Sequence, residues 1–98
     1  MFAHSVYFWL RRDLSNEQRN AFEEQMQILT KIEPCITATY GQPTASDRPV
    51  VDKTYDFALV GIYASSEDHD AYQVHPDHQY FLKNFNTYWD KVTIYDAQ

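Results

Sequence analysis

The chain has 98 residues, of which 44 % are apolar and 16 % aromatic, and its net charge is −6. Residues 1–98 are expected to form one domain with a thin core, because chains this short bury only about 60–70 % of their unfolded surface. The acidic charge argues against nucleic acid and membrane surfaces as partners, and no apolar run reaches the roughly 18 residues of a membrane span.

The first segment, FAHSVYFWL (residues 2–10), predicts a strand because it is rich in β-branched and aromatic residues. Successive side chains in a strand point to opposite faces, and here both faces are largely apolar. One face carries His4, Val6, Phe8 and Leu10. The other carries Ala3, Ser5, Tyr7 and Trp9.

A helix is predicted next, from the capping-box spacing of Ser15 and Gln18 to about Lys31, with Pro34 beyond its end. Its apolar stripe consists of Phe22, Met26 and Leu29.

The middle of the chain predicts two further strands joined by a long loop. CITATY (residues 35–40) is rich in strand formers, whereas residues 41–53 hold a glycine and two prolines. YDFALVGIY (residues 55–63) predicts a long strand that is apolar on both sides. Phe57 and Leu59 face one way, and Ala58, Val60 and Ile62 face the other.

The last third predicts two short helices and a closing strand. Ser65 or Ser66 can cap the first helix, and Pro76 suits the first turn of the second, with His75 near its cap. KVTIY (residues 91–95) is the final strand. The aromatic residues before it are expected to pack in the core; they are Phe81, Phe85, Tyr88 and Trp89.

The order β-α-β-β-α-α-β indicates an α+β fold with a mainly antiparallel sheet of four strands and helices on one face. The uncovered face would expose Tyr7, Trp9, Val60 and Ile62, a larger apolar patch than soluble monomers usually carry. We therefore predict a homodimer in which two sheets meet across a two-fold axis.

A reduced, cytoplasmic location is expected, because the lone cysteine cannot form an internal disulfide and no signal-peptide pattern opens the chain. Cys35 itself is interpreted as a small buried apolar residue.

Four segments together resemble the stress-responsive dimeric α/β-barrel (Dabb) family, and the resemblance spans essentially the whole chain. They are HSVYFWL after Ala3, YDFALV from Tyr55, AYQVHPDHQYF from Ala71, and YWDKVTIYD near the end. The resemblance implies a ferredoxin-like subunit whose sheet pairs with that of a second copy to form a barrel.

The resemblance also implies a candidate site, because the family includes plant polyketide cyclases such as olivetolic acid cyclase, whose cavity lies between sheet and helices. His78 matches the position of their general base, Tyr72 matches their tyrosine, and His4 matches another pocket position. The alternative is that these are core residues whose polar atoms bond main-chain groups. The chain departs from the cyclases by having Phe57 for a histidine, Met26 for a tyrosine and Glu23 for a phenylalanine.

A metal site at His75 and His78, with His69 and Asp77 nearby, is considered but not predicted, since a firm site needs three or four convergent ligands. No cofactor is expected, and the chain has no glycine-rich phosphate loop.

The first functional hypothesis is a cavity that binds a small carbonyl-bearing or aromatic molecule, with cyclase- or lyase-like acid–base chemistry by His78 and Tyr72. The second is a non-catalytic homodimeric module in a stress response, and the third, by fold analogy alone, is a cofactor-free monooxygenase. The expected lining is His4, Val6, Phe8, Phe22, Met26, Phe57, Leu59, Tyr72, His78, Phe81 and Trp89.

Overall fold

The computed structural model describes all 98 residues and confirms the predicted order of elements. The sheet has the strand order β2-β3-β1-β4, with every neighbouring pair antiparallel. This is the ferredoxin-like arrangement. The elements are β1 Phe2–Leu10, α1 Asn16–Leu29, β2 Thr37–Gly41, β3 Phe57–Tyr63, α2 Ser66–Gln73, α3 Pro76–Phe85 and β4 Trp89–Ala97.

The helix starts lie where the capping residues predicted them. Ser15 accepts a hydrogen bond from the Gln18 amide, and the Gln18 side chain accepts one from the Ser15 amide, which completes the capping box of α1. Pro76 is the first residue of α3, and His75 Nδ1 caps it by accepting a hydrogen bond from the Asp77 amide at 3.0 Å. The junction between α2 and α3 is therefore fixed by local chemistry.

The bounds of three strands differ from the predictions because partner strands decide where pairing stops. β2 begins at Thr37, opposite Ile62, since β3 ends one residue later at Tyr63. β3 begins at Phe57, because the amide of Asp56 bonds the Phe8 carbonyl and its carboxylate accepts a bond from the Leu10 amide. β4 extends beyond residues 91–95 in both directions, since it pairs along almost all of β1.

The core lies between the helices and one face of the sheet. The alternating burial along β1 and β3 confirms the predicted assignment of faces. Phe22 of α1 is fully buried, with ring centroids of Phe8 at 5.2 Å and Phe81 at 5.6 Å. Aromatic edge-to-face contacts of this kind fill the centre of a small domain efficiently.

The opposite face of the sheet has no helix over it, and its two central strands, β1 and β3, are largely apolar there. Tyr7, Trp9, Val60 and Ile62 are half-buried there within a single chain. Thr54 accepts a hydrogen bond from Trp9 Nε1 at 2.9 Å, so the loop before β3 covers one corner of the face. None of the helices combines the length and the apolar character that a membrane crossing would need.

Candidate functional site

A cavity of about 260 Å³ lies between the helix-facing side of the sheet and the α2–α3 pair. Most of its wall is apolar, and the lining residues that carry hydrogen-bonding groups include His4, Tyr72, Gln73 and His78. The lining residues are His4, Val6, Phe8, Leu29, Leu59, Tyr72, Gln73, His78, Phe81, Leu82, Trp89, Val92 and Ile94.

The structure places all of the expected lining residues on this wall except Phe22, Met26 and Phe57. These three are buried in the packed core instead. The rings of Phe22 and Phe57 lie 5.7 Å apart, so they fill the space in which the sequence analysis placed part of the cavity.

The cavity opens over β4. The pairing of Val6 with Ile94 and of Phe8 with Val92 places both β4 side chains on the helix-facing side of the sheet. Ile94 is nevertheless 53 % exposed and Val92 39 % exposed, because the helices leave this edge strand partly uncovered. Together with Leu82 of α3 they form an apolar mouth through which a ligand can enter.

His78 is held in one tautomer by the backbone. Its Nδ1 donates a hydrogen bond to the carbonyl oxygen of Gln73 at 3.1 Å. Because a carbonyl oxygen only accepts, Nδ1 carries the proton and Nε2 of the neutral ring is left as a base. Burial lowers the pKa of His78 from its usual value, against the opposing effect of the Gln73 hydrogen bond, and this favours the neutral ring near pH 7.

Tyr72 lies beside His78 and supplies a hydroxyl group. The two ring centroids are 4.7 Å apart in an edge-to-face arrangement. Burial, together with the neighbouring Cys35, raises the pKa of the Tyr72 hydroxyl, so it remains a protonated hydrogen-bond donor at any ordinary pH. Two residues that could supply a base and a hydrogen-bond donor are therefore neighbours on the cavity wall.

His4 is the third polar group on the cavity wall, and its ring centroid is 6.0 Å from that of Tyr72. Its Nδ1 donates a hydrogen bond to Asp96 Oδ1 at 2.5 Å. The carboxylate fixes the orientation of the ring, as carboxylate partners of histidine commonly do. The structure thus brings together His4, Tyr72 and His78, the three residues that the sequence analysis selected.

The sequence did not indicate that two further residues, Asp96 and His69, contact His4. Asp96 lies opposite His4 in the β1–β4 pairing, in a part of β4 that the sequence analysis did not extend far enough to include. His69 of α2 stacks on Phe2 at 4.6 Å between centroids, and its ring is 4.2 Å from that of His4. Burial lowers the pKa of His69, and the neighbouring His4 lowers it further by a smaller amount. A closing strand predicted one residue longer, in the antiparallel register, would have placed Asp96 opposite His4.

His75 and His78, which were considered for a metal site, each use one ring nitrogen in a hydrogen bond, so only Nε2 of each ring remains for an ion. Nδ1 of His75 is occupied by the cap of α3, and Nδ1 of His78 by the Gln73 carbonyl. His69 lies with His4 and Asp96, not with these two residues.

The fold and the site define a ferredoxin-like α+β subunit with a cavity between its sheet and helices. The chain belongs to the Dabb family, the stress responsive A/B barrel domain, whose family model matches residues 2–98. No curated protein matches it in sequence.

Solved structures support the fold. A dimeric ferredoxin-like protein of unknown function from Thermobifida fusca is 21 % identical with a TM-score of 0.78, over 98 % of this chain and 88 % of that one. A Dabb family protein from Mesorhizobium loti is 21 % identical with a TM-score of 0.78, over 99 % and 94 %. The hydroxynitrile lyase of Passiflora edulis is 19 % identical with a TM-score of 0.76, over 98 % and 90 %.

Proposed function

We propose that this Dabb protein binds a small carbonyl-bearing or aromatic molecule in the cavity and removes a proton from it with His78. The observation that carries the proposal is the presence of His4, Tyr72 and His78 on the wall of one apolar cavity with an open mouth. A volume of about 260 Å³ is just below the roughly 300–1,000 Å³ of typical ligand pockets, so the ligand is expected to be small.

The chemistry follows from the protonation states of the two neighbouring groups. Nε2 of His78 takes a proton from the carbon next to a carbonyl, and the electron pair of that C–H bond moves to the carbonyl oxygen to form an enolate. The Tyr72 hydroxyl donates a hydrogen bond to the developing oxyanion. The enolate carbon can then attack a second carbonyl, as in a cyclase, or take a proton back.

Lyase-like chemistry is the variant that the Passiflora neighbour suggests, since that protein is a hydroxynitrile lyase. In such a reaction the same base would remove a hydroxyl proton, the C–CN bond would break and cyanide would leave, with the oxygen retained as a carbonyl. Phe57 stands in place of the cyclases' histidine, so His4, which is hydrogen-bonded to Asp96, is the second imidazole on the cavity wall with His78.

We further propose that two copies pair through the uncovered sheet face, and this proposal also supports the alternative of a non-catalytic homodimeric module. Tyr7, Trp9, Val60 and Ile62 would be buried there, each contributing part of the roughly 1.5–3 kcal/mol of a fully exposed side chain, because each is already half-buried. The Thermobifida neighbour is described as dimeric, which supports the same arrangement. The cavity lies on the other side of the sheet, so both assignments can hold together.

Binding is tested by the melting temperature of the protein with a panel of small aromatic ketones, aldehydes and hydroxynitriles. A rise that is lost in His78→Ala and Tyr72→Phe, and kept in His75→Asn, supports the site. His75→Asn is the matched control because asparagine preserves the helix cap while removing an imidazole outside the cavity. No shift with any compound, together with destabilised His78 and Tyr72 variants, would instead support the non-catalytic module.

A further inference from the structure

A second cluster of side chains shares His4 with the cavity wall, and it is composed of His4 in β1, His69 in α2 and Asp96 in β4. One ligand atom from each residue can be chosen so that all three lie within 4.8 Å of one another. We propose that these residues bind a divalent transition-metal ion. The site goes beyond the proposed proton transfer, which needs only His78 and Tyr72.

The two imidazoles are held in place before any ion arrives. His4 and His69 are 6 % and 3 % exposed, and their ring centroids are 4.2 Å apart. His69 is clamped between aromatic rings, with Phe2 stacked at 4.6 Å and Tyr63 edge-on at 5.2 Å. Side chains fixed by packing lose little conformational freedom when they bind an ion, which favours affinity.

The ring nitrogens of His69 are also not committed to a strong acceptor. Their hydrogen-bonding neighbour is the Gln73 amide nitrogen, at 3.3 and 3.4 Å. The amide nitrogen lies almost equally far from both ring nitrogens, so it is not in line with the lone pair of either one and makes at most a weak hydrogen bond. A lone pair engaged this weakly is free to bind a metal ion after a small movement of the glutamine.

The three ligand atoms would have to move only slightly closer together to share one ion. Ligand atoms that share one ion at about 2.1 Å lie roughly 3.0–3.4 Å apart, somewhat closer than the present limit. The Asp96 side chain is 40 % exposed, so it can rotate to close the site, and it also marks the path by which an ion enters. The hydrogen bond between Asp96 and His4 shows that these two residues already approach closely.

The donor set indicates the class of ion. Two imidazoles and one carboxylate suit Zn²⁺ and neighbouring transition metals, whereas Mg²⁺ and Ca²⁺ prefer oxygen ligands alone. Three protein ligands leave a coordination position open, as in catalytic rather than structural zinc sites. Because His4 also lines the cavity, the ion would lie beside the cavity wall.

The test is a titration of tag-free, chelator-stripped protein with Co²⁺, followed by displacement with Zn²⁺. We expect saturable visible ligand-field absorption at one Co²⁺ per chain, which Zn²⁺ abolishes. His69→Phe preserves the aromatic packing and Asp96→Asn preserves the shape, and each should weaken Co²⁺ binding by at least about tenfold. Circular dichroism melting confirms that both variants are folded.

The controls are His75→Asn and Asp90→Asn, which remove an imidazole and an exposed β4 carboxylate outside the cluster and should leave Co²⁺ binding unchanged. His78→Ala should also retain Co²⁺ while losing ligand binding, which separates this inference from the proposed function. Absence of saturable absorption overturns the metal site. Wild-type Co²⁺ affinity in His69→Phe and Asp96→Asn, or loss of binding in His75→Asn, overturns it as well.

Discussion

His78 and Gln73 are joined across the α2–α3 junction by a hydrogen bond from the Nδ1 of the histidine to the carbonyl oxygen of the glutamine, at 3.1 Å. That bond uses a main-chain carbonyl oxygen near the end of α2, a group that helix ends leave without an intrahelical partner. It also determines which nitrogen of His78 can act as a base. The motif HPDH therefore serves the fold and the candidate site at once: His75 caps α3, Pro76 begins it, and His78 is the proposed base.

The free energy of unfolding is predicted to fall as the pH drops below about 6.5. Folding lowers the pKa of His69 and His78, mainly through burial, from a usual value of 6.5. Between the lowered pKa of each histidine in the folded chain and its usual pKa in the unfolded chain, the unfolded chain binds more protons. The free energy of unfolding therefore rises with pH across that window. Urea unfolding at pH 5.5, 6.5 and 7.5, with a chelator and at fixed protein concentration, measures this slope.

The variant His69→Phe should reduce that pH dependence, because it removes one of the two buried imidazoles without removing the aromatic packing. A slope that is absent in the wild type, or unchanged in this variant, would mean that these histidines are not responsible.

Asp56→Asn is predicted to destabilise the protein by about 2 kcal/mol. The Asp56 side chain is 11 % exposed and accepts hydrogen bonds from the Leu10 amide, from Arg12 and from Arg19. An asparagine would keep one oxygen but turn an NH₂ group towards a guanidinium. Urea unfolding measures the difference, with the exposed Asp47→Asn as the matched control. Equal stability of the two variants would show that this network contributes little.

Val60→Lys is predicted to weaken self-association by at least about tenfold. Val60 lies on the uncovered face of β3, an inner strand of the sheet, and replacing it with a charge opposes burial worth part of the roughly 1.5–3 kcal/mol of a fully exposed side chain. Sedimentation equilibrium measures the dissociation constant. Val50→Lys, in the exposed loop, introduces the same charge and should leave association unchanged. A wild-type chain that sediments as a monomer at micromolar concentration would contradict the proposed pairing.

Local signals predicted most of the fold. The capping box at Ser15, the proline that begins α3 and the alternation along β1 each act within a few residues, so the sequence reveals them directly. The extent of β4 and the hydrogen-bond partners of Asp56 depend on residues at least 37 positions away, and no local pattern encodes them.

The candidate site divides in the same way. Alternation placed His4 on the helix-facing side of β1, but the side chains around it come from α2 and from the end of β4. Phe22, Met26 and Phe57 lie on the predicted face but do not line the cavity. Whether a core residue lines a cavity depends on how tightly its neighbours pack, as the rings of Phe22 and Phe57 do, and the face it occupies does not reveal this.

The most direct test of the account is hydrogen–deuterium exchange at the methyl group of acetophenone, a small aromatic ketone, followed by proton NMR in D₂O with a chelator present. The account predicts protein-dependent exchange that falls at least about 100-fold in His78→Ala, falls less in Tyr72→Phe, and persists in His75→Asn. Exchange no faster than in buffer alone, or unaffected by loss of the His78 imidazole, would contradict the assignment of His78 as a base in this cavity.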